Sequence, residues 1–152
     1  AALVDGADML TPNLTEASII TGIPYEGQDV SVEFVQKNAS ALLDLGAKTV
    51  VIKGIVHGDE PIIRNYLASA AEGGQVEEVS SELLPYMLHG TGDLFASALT
   101  AAIYTGRTTR EAVDFAGELV RDAMRITREQ PDFEMRGVSF EPTLGKVAAL
   151  LA

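Results

Sequence analysis

Cysteine is absent from this 152-residue sequence, and histidine occurs only twice. Without thiols there is no disulfide scaffold, no thiolate zinc site and no cysteine nucleophile, and the composition suits a reducing compartment such as the cytoplasm. Two histidines cannot supply a three-histidine catalytic zinc site. Basic residues are scarce too: 11 Lys and Arg stand against 22 Asp and Glu, a formal net charge of −11. A nucleic-acid surface needs a basic stripe to displace counterions, so a nucleic-acid partner is not expected. No apolar run approaches the roughly 18 residues of a membrane span, and no basic-then-apolar leader opens the chain, so no membrane partner is expected either. What is present, 47% hydrophobic and 22% charged residues, reads as one soluble globular domain.

Ala1–Gly6 reads as the last turn of a helix closed by glycine. Asp8–Thr11 is a short strand candidate, and Pro12 then falls at the first position of a helix over about residues 14–21, where its missing N–H does no harm. A second helix is predicted from Ser31 to Leu45, with Val32, Val35, Ala39, Leu42 and Leu43 at helical spacing and Gly46 as its stop. Thr49–Ile52 is a β-branched run typical of a buried strand. After the turn His57–Glu60, Ile62–Leu67 is its antiparallel partner; Ala70–Gly74 is a small-residue loop and Val76–Val79 a third strand. A helix from Gly90 to Thr105 carries Leu94, Phe95, Ala98, Leu99, Ala102 and Ile103 around much of its circumference and should be deeply buried. Thr108-x-x-Glu111 is a capping box for a long amphipathic helix to Glu129, whose charged faces should be solvated; Pro131 forbids continuation, and Thr143–Leu151 makes a last short helix. Strands alternating with helices imply a layered α/β fold. With so few strands, and a first helix that starts before residue 1, the sheet is expected to be incomplete on its N-terminal side. The chain then reads as the C-terminal part of a larger domain, with apolar surface and a free sheet edge exposed.

Three groups of residues could carry chemistry. Gly90-Thr91-Gly92-Asp93 opens the apolar helix, and its glycines let backbone N–H groups converge on an anion without interference from Cβ atoms. The helix dipole adds roughly 0.3–1 kcal/mol per anionic contact. Asp93, in the first turn, could take a proton from a hydroxyl attacking phosphorus, although helix dipoles alone also favour an acid there. The segment is not a dinucleotide fingerprint, because Phe95 occupies the third small position, and the chain has no P-loop. Asn13 and Glu16, three apart, share one side of a helix, and their hard oxygens suit Mg2+. The same spacing is a plain helix cap, though Pro12 would make Thr11 the better cap. Lys53 ends a buried strand, where open α/β sheets place ligands, although a solvated edge lysine is the commoner reading of such a position. His57 and His89 are read as a turn and a loop residue.

In order, Thr11-Pro12-Asn13-x-x-Glu16 after a strand, Val51-Ile52-Lys53-Gly54 after a second, and Gly90-Thr91-Gly92-Asp93 at a helix mouth resemble the ribokinase-like small-molecule kinases. Within them, Leu10–Gly22 and His89–Ala98 look most like pyridoxal/pyridoxamine kinases of vitamin B6 salvage. The resemblance spans about Asp5 to Leu150 and covers the C-terminal half of such an enzyme. It implies part of a three-layer α/β/α sandwich, with ATP and Mg2+ as cofactors, a B6 vitamer as substrate and a homodimer in the complete enzyme. It implies Asp93 as catalytic base, Gly90, Thr91 and Gly92 as the anion hole for the γ-phosphoryl, Asn13 and Glu16 as Mg2+ holders through water, and Lys53 near the nucleotide phosphates. Many pyridoxal kinases carry a hydroxyl residue at the Lys53 position. Family contacts to the vitamin ring lie mainly in the N-terminal half, so this polypeptide alone is expected to turn over little. Hydroxymethylpyrimidine kinases of thiamin synthesis share the fold and the Gly-Thr-Gly-Asp element. A nucleotide-binding or assembly module without catalysis is the alternative of another class.

Overall fold

A computed structural model describes residues 3–25, 27, 30–135 and 137–150. The chain divides into two compact units, Ala1–Leu83 and Leu84–Ala152.

The first unit is built on alternation. Thr49–Ile55 (β1), Ile62–Ser69 (β2) and Glu77–Glu82 (β3) form an antiparallel sheet in the order β1-β2-β3. Val50 and Ile52 of β1 and Tyr66 and Ala68 of β2 point to one face. There they meet Leu14–Thr21 (α1) and Val32–Asp44 (α2) through Leu14, Ala17, Phe34, Val35, Ala39 and Leu42. Fully burying side chains such as Leu42 and Ile52 contributes about 1.5–3 kcal/mol each. Asn38 of α2 is a fully buried polar residue here. Its amide donates to Phe34 O at 3.1 Å and its oxygen accepts from Thr21 Oγ1 at 3.0 Å, which ties α1 to α2.

The segment before α1 is not a strand of its own but lies beside β1 in parallel, through bridges at Leu10–Val50 and Asn13–Lys53. Leu10 N–H donates to Thr49 O, Val51 N–H to Leu10 O and Lys53 N–H to Pro12 O, at 2.9, 2.8 and 2.9 Å. Pro12 therefore belongs to the extended segment, and the expectation that it starts α1 is corrected: Asn13 is the N-cap and Leu14 the first helical residue. Strand β1 runs three residues beyond Ile52, because the chain bulges at Lys53-Gly54. Gly54 adopts φ +77 there, and its N–H is met by Asn65 Oδ1 at 3.1 Å. The predicted loop at Ala70–Gly74 contains a 3₁₀ turn, and the third strand starts at Glu77 and runs on to Glu82.

In the second unit, Thr91–Tyr104 (α3) packs on Thr109–Arg128 (α4). Thr108 and Glu111 form the predicted capping box. The expectation of a deeply buried α3 is corrected: only Phe95, Ala98, Leu99 and Ala102 are buried, and Tyr104 is 90% exposed. Apolar composition around a helix fixes how much it can bury, not how many neighbours it finds. Nor are all charges of α4 merely solvated, because Lys146 of Leu144–Ala149 (α5) binds both Glu118 and Asp122. The expected continuation to Leu151, like Ala1 and Ala2 of the opening turn, lies outside the described residues. No helix among the described residues is long and apolar enough to cross a membrane.

Two glycines with left-handed backbones separate strain from crowding. Gly22 closes α1 at φ +73 with open space where a Cβ would stand, whereas Gly46, at φ +105, would place one 3.0 Å from Asp5 Cα. Gly22→Ala should lose about 1–2 kcal/mol in chemical denaturation, and Gly46→Ala should lose that plus about 1–3 kcal/mol of overpacking. Equal losses would show that the Asp5 backbone yields.

On the sheet, Tyr66 is 2% exposed, and its hydroxyl donates to Glu78 Oε2 at 2.9 Å. Burial, then the hydrogen bond and charge of Glu78, push the phenol up to about 12 from its ordinary 10. The neutral form is the one the fold favours, so this contribution to stability is complete below pH 10 and disappears as pH rises through about 12. Alkaline unfolding should therefore steepen between those values, and Tyr66→Phe should flatten it.

Candidate functional site

Residues singled out by sequence fall into both units. Gly90, Thr91, Gly92 and Asp93 lie in the second, at the mouth of α3. Gly90 is the N-cap at φ +86, and no side chain caps the helix there. Val138 Cγ1 would stand 3.6 Å from an added Cβ, an ordinary contact, so left-handed backbone rather than space selects glycine at 90. The first intrahelical bond is Leu94 N–H to Gly90 O at 3.0 Å. The amides of Thr91, Gly92 and Asp93 precede it, and a helix has no carbonyl of its own for them. Thr91 Oγ1 does not fill the gap, because it donates backwards to Leu88 O at 3.3 Å. The Asp93 side chain is exposed. The mouth is thus open, with main-chain donors and a free carboxylate beside them: an arrangement suited to an anion and to a proton leaving a nearby hydroxyl.

Asn13, Glu16 and Lys53 lie in the first unit and are brought together. Asn13 Oδ1 accepts from Glu16 N–H at 2.8 Å, and Glu16 Oε2 accepts from Asn13 N–H at 2.8 Å. This is the reciprocal cap that the spacing allowed, with Asn13 and not Thr11 as the capping residue, because Pro12 stays in the extended segment. Both residues remain exposed, and the cap engages one carboxylate oxygen of Glu16, Oε2. The donor set is hard oxygen and fits Mg2+ held through water; no group of three or more His, Cys, Asp or Glu among the described residues forms a dedicated cage. Lys53 is bridged to Asn13, and its Nζ donates to Thr11 O at 2.5 Å. It is not a free edge lysine, and no acid among the described residues is shown paired with it.

Sequence reasoning missed three features near these residues. The Lys53-Gly54 bulge directs the lysine back over the Thr11–Asn13 segment, and a glycine inside a strand pattern was its signal. An open cleft of about 500 Å3 lies beside Leu14 between Tyr25 and the Gly54–Asp59 turn. His57, read as a turn residue, sits with Nε2 3.4 Å from Tyr66 Oη. Neither of the last two has a local sequence pattern, since both depend on pairing in the sheet.

The chain is similar to known proteins in both sequence and fold. The model of the family described as phosphomethylpyrimidine kinase matches residues 1–137. A hydroxymethylpyrimidine/phosphomethylpyrimidine kinase of Staphylococcus aureus (strain MRSA252) is 33% identical over 123 residues, 81% of this chain and 43% of that protein. A pyridoxal kinase PdxY of Actinobacillus succinogenes is 32% identical over 133 residues, covering 86% and 44%. Among solved structures, the pyridoxal kinase of Staphylococcus aureus in complex with AMP-PCP and pyridoxal superposes with a TM-score of 0.73 at 27% identity, over 91% of this chain and 49% of that one. The chain spans less than half the length of the curated relatives it matches. The α/β fold is accordingly part of a ribokinase-like fold.

The cap itself is testable without any ligand. Asn13→Ala should lower unfolding free energy by about 1 kcal/mol, and Glu16→Gln, which keeps an acceptor oxygen, should lose less than Glu16→Ala. Thermal unfolding of the three variants checks this, and equal losses for Gln and Ala would deny the side chain its capping role.

Proposed function

Because the chain belongs to the phosphomethylpyrimidine kinase family, we propose that it carries the phosphate-handling part of an ATP-dependent kinase acting on the hydroxymethyl group of a B6 vitamer. The observation that carries this reading is the uncapped mouth of α3, where left-handed Gly90 presents the amides of Thr91, Gly92 and Asp93 next to an exposed carboxylate.

In the proposed reaction, Gly90 turns the chain so that the main-chain N–H groups of Thr91, Gly92 and Asp93 hold the γ-phosphoryl oxygens, where their dipoles offset charge that an acidic protein otherwise repels. Asp93 accepts the proton of the hydroxymethyl group, the freed oxygen attacks the γ-phosphorus, and ADP leaves with the electrons of the broken P–O bond. Asn13 and Glu16 would hold Mg2+ through water, and bound Mg2+ would neutralise phosphate charge. Lys53 adds a fixed cation toward the nucleotide phosphates, its ammonium oriented by Thr11 O. Phosphoryl transfer needs chiefly positioning and neutralisation, and these residues supply both.

Pyridoxal recognition is supported by the resemblance at Leu10–Gly22 and His89–Ala98 and by the pyridoxal kinases among the relatives. Hydroxymethylpyrimidine is the second reading, favoured by the 33% identity to the staphylococcal enzyme. Either ring bears the same reacting group.

In the full-length protein, Asp93→Asn should lower kcat by about 10²–10⁴-fold with little change in AMP-PCP affinity, because it removes the base and leaves the amides. Gly90→Ala should do the reverse first, weakening nucleotide binding by forcing a Cβ into a left-handed backbone. Steady-state kinetics with pyridoxal, pyridoxamine and hydroxymethylpyrimidine, beside calorimetric titration with Mg2+ and AMP-PCP, reads both effects. Wild-type turnover retained in Asp93→Asn would overturn the assignment of the base, and no nucleotide binding by wild type would overturn the reading as a whole.

A further inference from the structure

The mouth of α3 takes its shape from the residues leading into it, and the second unit holds those residues from the far end of α4. Arg128, the last residue of α4, lies over the Tyr86 ring with its guanidinium carbon 4.9 Å from the centroid. Phe133 meets the same ring edge-on, at a centroid distance of 6.0 Å and an interplanar angle of 82°. Three residues after Tyr86, His89 forms a parallel bridge with Gly137, and Val138 N–H donates to His89 O at 2.9 Å. That carbonyl belongs to the residue directly before Gly90.

The stretch that grips the loop is itself fixed. Thr127 is fully buried; its hydroxyl donates to Ala123 O at 2.7 Å and accepts from Ser139 N–H at 2.8 Å. Ser139 Oγ donates to Gln130 Oε1 at 2.9 Å. Of the loop residues between the two grips, Met87 is 93% exposed, while Leu88 is buried. The orientation of Gly90 therefore depends on Tyr86 at one end of the loop and His89 at the other, both tied to residues 128–138.

We propose that Arg128 is a positioning residue for phosphate binding: its stacking on Tyr86 holds the 86–90 loop so that Gly90 aims the Thr91–Asp93 amides. This rests on the reading of Gly90–Asp93 as the phosphate site. Arg128 touches neither that site nor any reacting atom; it acts through Tyr86. A cation at the C-terminal end of a helix also steadies the helix dipole, and this is the rival explanation for an arginine at this position. Arg125 lies in the same last turn and pairs with Asp122 at 3.9 Å, so it shares the dipole role.

The test uses the whole chain with Arg128→Gln, Arg128→Lys and Arg125→Gln, and Tyr86→Leu as the loop-side variant. Hydrogen exchange at Val138 N–H reports the grip on His89, the amide resonances of Thr91–Asp93 report the mouth, and titration with Mg2+ and AMP-PCP reports binding. An exposed cation–π contact shifts an equilibrium about two- to five-fold. Arg128→Gln should therefore speed exchange at Val138 and weaken AMP-PCP by about that factor, and should displace the three mouth resonances. Arg128→Lys should restore most of each, Tyr86→Leu should match Arg128→Gln, and Arg125→Gln should leave all of them as in wild type. Unchanged Val138 exchange and mouth resonances in Arg128→Gln, with AMP-PCP still bound, overturn the positioning role and leave the phosphate reading intact. Equal effects from Arg125→Gln overturn it in favour of the dipole. A wild-type chain that binds no AMP-PCP fails the phosphate reading itself, whatever the exchange data show.

Discussion

Backbone amides without acceptors at a helix mouth are the constraint on which the rest of this molecule turns. A chain with a formal net charge of −11 repels any polyanion at long range. Attraction at short range must come from something other than a basic surface, and the first turn of a helix supplies it if nothing caps it. At α3 three choices keep it uncapped. Gly90 takes the N-cap position without a side chain, Thr91 sends its hydroxyl back to Leu88, and Asp93 stays exposed. Helices α1, α2 and α4 show the usual outcome instead, with Asn13, Ser31 and Thr108 each accepting from the third helical amide. Among the described α-helices, α3 shares its lack of a side-chain cap with the six-residue α5, but α3 alone of those two begins on a left-handed glycine.

The first unit treats polar groups differently. There the side chains that sequence reasoning linked to metal are mutually engaged, each of Asn13 and Glu16 bonded to the other's backbone N–H. A capping carboxylate is already oriented and has lost part of its rotamer freedom, so holding a hydrated cation with its second oxygen requires little further ordering. Capping and metal holding, opposed as alternatives in the sequence, are compatible in the geometry. Lys53 follows the same logic: the bulge and the 2.5 Å contact to Thr11 O fix its ammonium beside the cap, so that a charge on a long flexible stem becomes a positioned one.

Much of this was legible in the sequence because it is local. Helical spacing at Val35, Ala39 and Leu42, the β-branched run at Val50–Ile52, and Thr108-x-x-Glu111 each report on a few neighbouring residues, and each was found where expected. The misreadings were non-local. Whether Pro12 starts a helix depends on Lys53 N–H taking its carbonyl, 41 residues away, a pairing that no local pattern encodes. Whether α3 is wrapped on all sides depends on its neighbours, not on its composition. The grip of residues 128–138 on the loop before Gly90 was invisible for the same reason: Arg128 looked like one more charge on a solvated face, and only the fold puts a tyrosine beneath it.

The division of labour also explains why two kinds of kinase resemble this chain almost equally, at 33% and 32% identity. On the proposed reading, main-chain amides recognise phosphoryl oxygens, Asp93 recognises an alcohol proton, and Asn13, Glu16 and Lys53 meet phosphate charge. None of these groups contacts an aromatic ring, so none distinguishes a pyridine from a pyrimidine. A part of an enzyme that handles only what its possible substrates share is free to stay similar while the ring-binding residues diverge. Discrimination between isosteric rings comes from hydrogen-bonding groups that one ring satisfies and the other leaves unpaired. On the proposed reading, the residues that meet phosphate and proton would be common to both reactions, and the ring would be read elsewhere.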